Sequence, residues 1–297
     1  MGSFFVRRKF MAYTRPAKDC AGQLDILKKR GLQFDNRDAA EKLLQEIGYF
    51  RLKGYCLGFY KQDTETFKDG ISISQLHRVY RFDSDIRGIT MKACQRAEVR
   101  LKSIMGMQLA LRFGPVMPAN ALEPSSLFEK WTESVDSAHL QGSKRKELYV
   151  RHYLEDYGEF PIWVDLELST LGNVSKLYSW LEPDVKKAIA DQYSARVVYL
   201  LNWTHMLTVV RNTCAHNSRF YGRFLPVYAK MPRPQLRYFG NTTYASMVFV
   251  LSRLLEPDDF QSYIDGLKRI FKEYQGDIEI GRLGFQSSWY SHAQRLM

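Results

Sequence analysis

The most ordered pattern of apolar and polar positions lies between Val197 and Tyr221. Leu200, Trp203, Leu207, Val210 and Cys214 recur at spacings of three, four, three and four residues, the period of a helix that lays one stripe on a core. Polar groups gather toward its end: Arg211, Asn212, His216, Arg219 and Arg223. At 100° per residue, Asn212, His216, Arg219 and Arg223 form a stripe opposite the apolar seam, and Arg211 sits on the shoulder between the faces. The pattern predicts one helix over 196–222, stopped by Gly222 and Pro226. A helix serving only the core has no need of that outer stripe; a site for a phosphate-bearing ligand does.

A second long period starts near Ser74. Val79, Phe82, Ile86, Ile89, Ala93, Ala97, Leu101, Ile104 and Leu109 hold close to 3.6 residues per turn. Arg78, Arg81, Arg87, Lys92, Arg96 and Lys102 lie outside that seam, as a solvated face or as a strip facing RNA. Glu98 falls on the side of Lys102, within reach of Arg211 if the two helices meet along that edge. Arg100 falls inside the seam, which calls for snorkelling or a carboxylate partner.

Elsewhere, a helix from Gln23 stops at Gly31, and Asp35 or Asn36 caps another that ends near Gly48. Residues 49–60 read as a packed, partly helical connection, and 61–70 as a loop. Residues 113–160 read as loop-rich, with one short basic helix around 143–153. Further helices are predicted from Asn173 to Trp180, after Glu182 to Tyr193, and, beyond a proline-marked loop at 231–235, over 243–254 and 257–274. No β alternation and no repeat emerges, so the expected class is all-α. Residues 1–22 are expected to be a basic arm carrying Arg7, Arg8, Lys9, Arg15 and Lys18, and 23–297 a single helical domain.

Charge narrows the partners. Lys and Arg number 43 against 32 Asp and Glu, giving a net charge of +11 and a pI near 9.4, a balance that favours polyanions such as nucleic acid. Cys20, Cys56, Cys94 and Cys214 are far apart, without zinc spacing or a disulfide framework, and point to a reducing cytoplasm. His77, His139, His152 and His292 lack metal-ligand spacing, and no nucleotide-binding glycine loop is present. No metal and no cofactor are expected. The longest apolar run, 197–210, is interrupted by Asn202 and His205 and is too short for a bilayer, so no membrane partner is expected.

Several separated stretches resemble the Abi family of bacterial abortive-infection proteins, of the AbiD/AbiF kind. They are Gln23 to Gly31, Ile47-Gly-Tyr-Phe-Arg-Leu-Lys-Gly-Tyr55, Pro161-Ile-Trp-Val to Gly172, and Arg211-Asn-Thr-Cys-Ala-His216 with Ser218-Arg219. Tyr80-Arg-Phe-Asp83, Glu98-Val-Arg100 and the Gly284-Phe285 to Trp289 ending keep the order, so the resemblance runs over residues 20–292. Two positions depart from it: Lys102 stands where the family has Arg, and Gln286 where it has Pro. The resemblance implies a branch of the HEPN superfamily, whose hallmark is Arg-x-x-x-x-His. It further implies a helical bundle dimerising through the motif helix and a metal-independent endoribonuclease toxin of phage defence. A bound small noncoding RNA is also implied.

The residues themselves are suited to that chemistry. A histidine can take or give a proton near neutral pH, which fits His216 as base for a 2′-hydroxyl or acid for a 5′-oxygen. Arg211 offers a permanently charged fork for phosphoryl oxygens. Asn212, one turn before His216, can fix its tautomer or hold a phosphate oxygen. Arg219, Arg223, His205, Lys102 and Arg96 are the expected RNA contacts. Arg211 and His216 lie about 140° apart on a helix, so a single motif does not clamp one phosphate, whereas two motifs across a twofold axis do. The rivals are a non-catalytic RNA-binding protein and a helical interaction module, with Arg211 pairing Glu98 and His216 capping the helix.

Overall fold

Asp19 opens the first helix. Its carboxylate accepts the Gly22 N–H at 2.8 Å, so α1 (Cys20–Lys29) starts before the predicted Gln23. Asn36 caps α2 (Arg37–Ile47) on the Ala39 N–H at 2.9 Å, and Gly48 ends it at φ 84°, as the sequence predicts. The aromatic connection contains α3 (Tyr49–Cys56). Arg37 bonds Asp25 at 2.8 Å, tying α2 to α1 over buried Leu24, Leu27, Leu44 and Leu52. These elements form a first compact unit that ends at Arg78. The computed structural model describes residues 14, 16–144 and 146–297. Arg7, Arg8, Lys9 and Arg15 of the expected basic arm lie outside the described residues, and Lys18 is exposed.

The second unit, from Val79 onward, is built on α4 (Ile73–Phe113), a helix of 41 residues. Its predicted seam is buried at Val79, Phe82, Ile86, Ala93, Ala97, Leu101 and Leu109. Arg100 resolves as expected for a cation in a seam: it bonds Glu256 at 2.7 Å and the Leu254 carbonyl at 3.1 Å, over the Tyr193 ring. Arg87 does not belong to a solvated strip. It is 4% exposed and pairs with the fully buried carboxylate of Asp83, one turn earlier.

The stretch 113–160 is more helical than its sequence suggests. It holds α5 (Leu127–Lys144) and α6 (Leu148–Asp156). Gly114, Pro115, Pro118 and Pro124 are strong breakers, but all precede a short seam of Phe128, Trp131, Val135 and Ala138. Next come α7 (Ile162–Leu168), α8 (Leu171–Trp180), α9 (Pro183–Asp191) and α10 (Val197–Ala215). The expected proline loop contains a short α11 (Arg233–Phe239), and α12 (Ala245–Leu254), α13 (Pro257–Glu273) and α14 (Trp289–Gln294) close the chain.

Ala245 through Leu251 of α12 are buried without a break, so this helix is wrapped on all sides. Helix α10 packs on α8, α9 and α12. Helix α13 approaches α4 so closely that a Cβ on Gly266 would stand 1.9 Å from Ile89 Cδ1. Among the described residues there is no strand, only isolated bridges, and no helix is long and apolar enough to cross a membrane. The all-α class is therefore as predicted.

Candidate functional site

Local propensity does little for α10. Val197, Val198, Thr204, Thr208, Val209, Val210 and Thr213 are β-branched and stiff in a helix. Burial compensates: Leu200, Trp203, Leu207, Val210 and Cys214 are all buried, as the seam predicts. The threonines bond back into the helix, Thr208 to the Thr204 carbonyl at 3.0 Å and Thr213 to the Val209 carbonyl at 2.9 Å. Thr208 also faces α8, where its Oγ1 lies 3.5 Å from the Leu171 carbonyl.

The helix ends earlier than predicted. Its last residue is Ala215, and His216 is the C-cap. Asn217 turns into the left-handed region at φ 52°, Ser218 N–H donates to the Thr213 carbonyl at 2.9 Å, and Asn217 N–H to the Cys214 carbonyl at 3.1 Å. This double bond pattern is a Schellman stop, with asparagine in the place glycine most often takes. The chain beyond is then seized by Asp83, whose carboxylate accepts Tyr221 N–H at 2.8 Å and Phe220 N–H at 3.1 Å. Arg219 and Arg223 therefore do not extend the Asn212 and His216 stripe. Arg219 lies half-buried past the turn, and Arg223 is exposed beyond the anchored pair.

Of the predicted motif, Arg211 and Asn212 meet through their side chains, while His216 meets Asn212 only through the backbone. Arg211 is 34% exposed, with Nε 3.7 Å from Glu98 Oε2, an ion-pair separation longer than a hydrogen bond. Its Nη1 donates to Asn212 Oδ1 at 3.2 Å. The His216 N–H closes on the Asn212 carbonyl at 2.9 Å. That last contact is a backbone helix bond, so it fixes the chain at His216 and not its imidazole, and both Asn212 and His216 face solvent. The meeting of Glu98 with Arg211 is the helix-edge contact expected from sequence.

The other expected contacts scatter. His205 is exposed on the same stripe of α10, two turns before Asn212. Lys102 is mostly buried, bonding Glu98 at 3.2 Å and the Glu167 carbonyl at 3.2 Å. Arg96 is on the surface, paired with Asp259 at 2.6 Å. Beneath the motif lie two thiols. Burial pushes Cys214 up to about 12 and Cys94 well above the ordinary thiol range, so both remain neutral, apolar core groups rather than nucleophiles. His139 bonds Asp165 at 2.8 Å and stacks on Phe160 at 3.8 Å, a contact that fastens α5 to α7. Among the described residues, no group of three or more His, Cys, Asp or Glu is arranged to hold a metal ion.

Sequence reasoning missed the anchoring role of Asp83. The signal was present as an acid and a base four residues apart, Asp83 and Arg87, both close to an apolar seam where neither fits unpaired.

A family model described as Abi-like protein matches residues 42–222, more than half of the chain. The match runs from α2 to the Asp83-anchored turn after α10. No curated protein and no solved structure matches.

Proposed function

The chain belongs to the Abi-like protein family, which points to abortive infection as its setting, and from that premise we propose that it is a metal-independent endoribonuclease toxin of HEPN type. The observation that carries the reading is the placing of Arg211, Asn212 and His216 at the C-terminal end of α10, Asn212 and His216 facing solvent and Arg211 one-third exposed. Arg211 is held by Glu98 at 3.7 Å, loosely enough to exchange that carboxylate for a phosphate.

Arg211 binds the non-bridging oxygens of the scissile phosphate and offsets their developing charge. One His216 takes the proton of the neighbouring 2′-hydroxyl, whose oxygen forms a bond to phosphorus. The bond from phosphorus to the 5′-oxygen breaks, and that oxygen receives a proton from the His216 of a second copy. The products are a 2′,3′-cyclic phosphate and a 5′-hydroxyl. Two copies are required because Arg211 and His216 point about 140° apart on one helix. Asn212 orients the pair. A small noncoding RNA, held on the basic surface, is the bound partner in this reading.

The test is RNA cleavage in excess EDTA by wild type, Arg211→Ala and His216→Ala, each checked for melting temperature and oligomeric state. Cleavage by wild type with cyclic-phosphate ends, lowered about 10²–10⁴-fold in His216→Ala, is the expected result. Equal cleavage by all three would sink the assignment. Tight RNA binding without cleavage by any of them would favour a binding protein.

A further inference from the structure

The acidic residues of this chain are unevenly spread. Between Asp191 and Glu256 there is no Asp or Glu, while the same 64 residues, 192–255, hold eight Arg and Lys. Five of those cations are exposed: Arg196, Arg223, Lys230, Arg233 and Arg237. Three of the five fall within one irregular segment, Arg223 to Arg233.

That segment alternates. Phe224, Pro226, Tyr228 and Lys230 face water, while Leu225 and Val227 are half-buried and Ala229 and Met231 buried. Phe224 is 77% exposed and Tyr228 69%. Rings this bare on a loose loop would mean little, but this backbone is fixed on two sides. Leu225 N–H donates to the Thr242 carbonyl at 2.7 Å and Ala229 N–H to the Asn241 carbonyl at 2.9 Å. Asn202 Nδ2 donates to the Tyr228 carbonyl at 2.9 Å, Lys230 N–H returns to Asn202 Oδ1 at 2.6 Å, and Trp203 Nε1 bonds the Lys230 carbonyl at 2.8 Å. The segment therefore leaves α10 at its His216 end and doubles back to Asn202 and Trp203. Asn202 lies about 60° around the helix from the stripe of His205, Asn212 and His216.

We propose that Arg223 to Arg233 is a binding strip for single-stranded RNA, with bases stacked on Phe224 and Tyr228 and phosphates held by Arg223, Lys230 and Arg233. This rests on the RNA reading above and names the form of RNA that is held. Rigidly mounted, solvated rings flanked by cations are what unpaired bases stack on, since every base has a π-face and the backbone is anionic. A second copy of the chain is a poorer occupant. A twofold contact centred on the strip would set Arg223, Lys230 and Arg233 against their own copies, and the segment itself carries no acid to neutralise them.

The experiment uses the full chain in a His216→Ala background, so that the probe stays intact. Binding of a labelled 12-nucleotide oligouridylate and of a 12-base-pair RNA duplex is measured with and without Phe224→Ala and Tyr228→Ala. Loss of both rings should weaken single-strand binding about 25-fold or more, at a minimum of roughly 5-fold per base, and leave duplex binding and melting temperature unchanged. Tyr228→Phe should retain the affinity. The ring variants should keep the salt slope, whereas Arg223→Ala with Lys230→Ala should lower it by about 1.4 on the single strand. Single-strand affinity that survives loss of both rings overturns the strip and leaves the nuclease reading intact. So does a parent that binds only duplex, or a ring variant that changes oligomeric state but not RNA affinity. A parent that binds neither probe overturns the strip and the RNA reading together.

Discussion

Two acid–base clusters on α4 use the same chemistry to opposite ends. Asp83 and Arg87 are sealed: the carboxylate is fully buried, the guanidinium nearly so, and the acid also accepts the Phe220 and Tyr221 N–H groups. Glu98, Lys102 and Arg211 meet further along the same helix at its edge, where Arg211 stays one-third exposed and 3.7 Å from its acid. A sealed pair is a lock, because breaking it leaves a charge in the interior at high cost. At the edge only Arg211 reaches solvent, so it is the member able to trade its carboxylate for another anion, while Glu98 and Lys102 stay mostly buried. The comparison separates the residues that hold the motif in place from those able to meet a ligand.

The sealed cluster should give the largest response. Asp83→Ala removes the acid beside Arg87 and the acceptor of two N–H groups, and should cost about 3–5 kcal/mol. That is a fall in melting temperature of about 10 °C for a unit of this size, read by circular dichroism. A shift of only a degree or two would show that the anchor is not a lock. Asn217→Ala comes next, because alanine in the left-handed region costs about 1–2 kcal/mol; a urea titration would report it as a lower midpoint at unchanged slope.

At the open cluster the sign of the test changes. Glu98→Gln should cost less than Asp83→Ala, although it also takes the acid away from the mostly buried Lys102. By releasing Arg211 to phosphate, it should steepen the salt dependence of RNA binding by about one. An unchanged slope with a large loss of stability would mean the two clusters are alike after all. The smallest signal is in the thiols. With Cys56 pushed up to about 11 and Cys214 to about 12 by burial, the thiolate fraction of Cys214 at pH 8 is about 10⁻⁴. Alkylation followed by mass spectrometry should mark half-buried Cys20 first and leave Cys56, Cys94 and Cys214 untouched. In Asp83→Ala, labelling of Cys214 should rise as the turn beside it opens.

Much of this was legible in the sequence because it is periodic. The seams of α4 and α10, the caps at Asn36 and Gly48, and the carboxylate partner of Arg100 all follow from spacing and from what a buried cation needs. The meeting of Glu98 with Arg211 was legible for the same reason. The end of α10 was not, since Gly222 advertises a stop and Asn217 does not. Asparagine reaches the left-handed region rarely enough that sequence alone favours the glycine. That single difference of seven residues takes Arg219 and Arg223 off the helix. The short seam of α5 was hidden behind a run of prolines, and the pinned segment after α10 has no period at all. Its shape is set by side-chain and backbone bonds to Asn202, Trp203, Asn241 and Thr242, which no local pattern announces.

The Asp83 anchor also sets a clock. Its partners Phe220 and Tyr221 lie 137 and 138 residues later in the chain, and contacts of that separation close late in folding. On a ribosome adding residues from the N-terminus, α4 is complete and waiting long before the turn that follows His216 has been made. The exit of the motif helix cannot be fixed until about three-quarters of the protein exists. The order of synthesis itself delays the completion of the motif in each molecule.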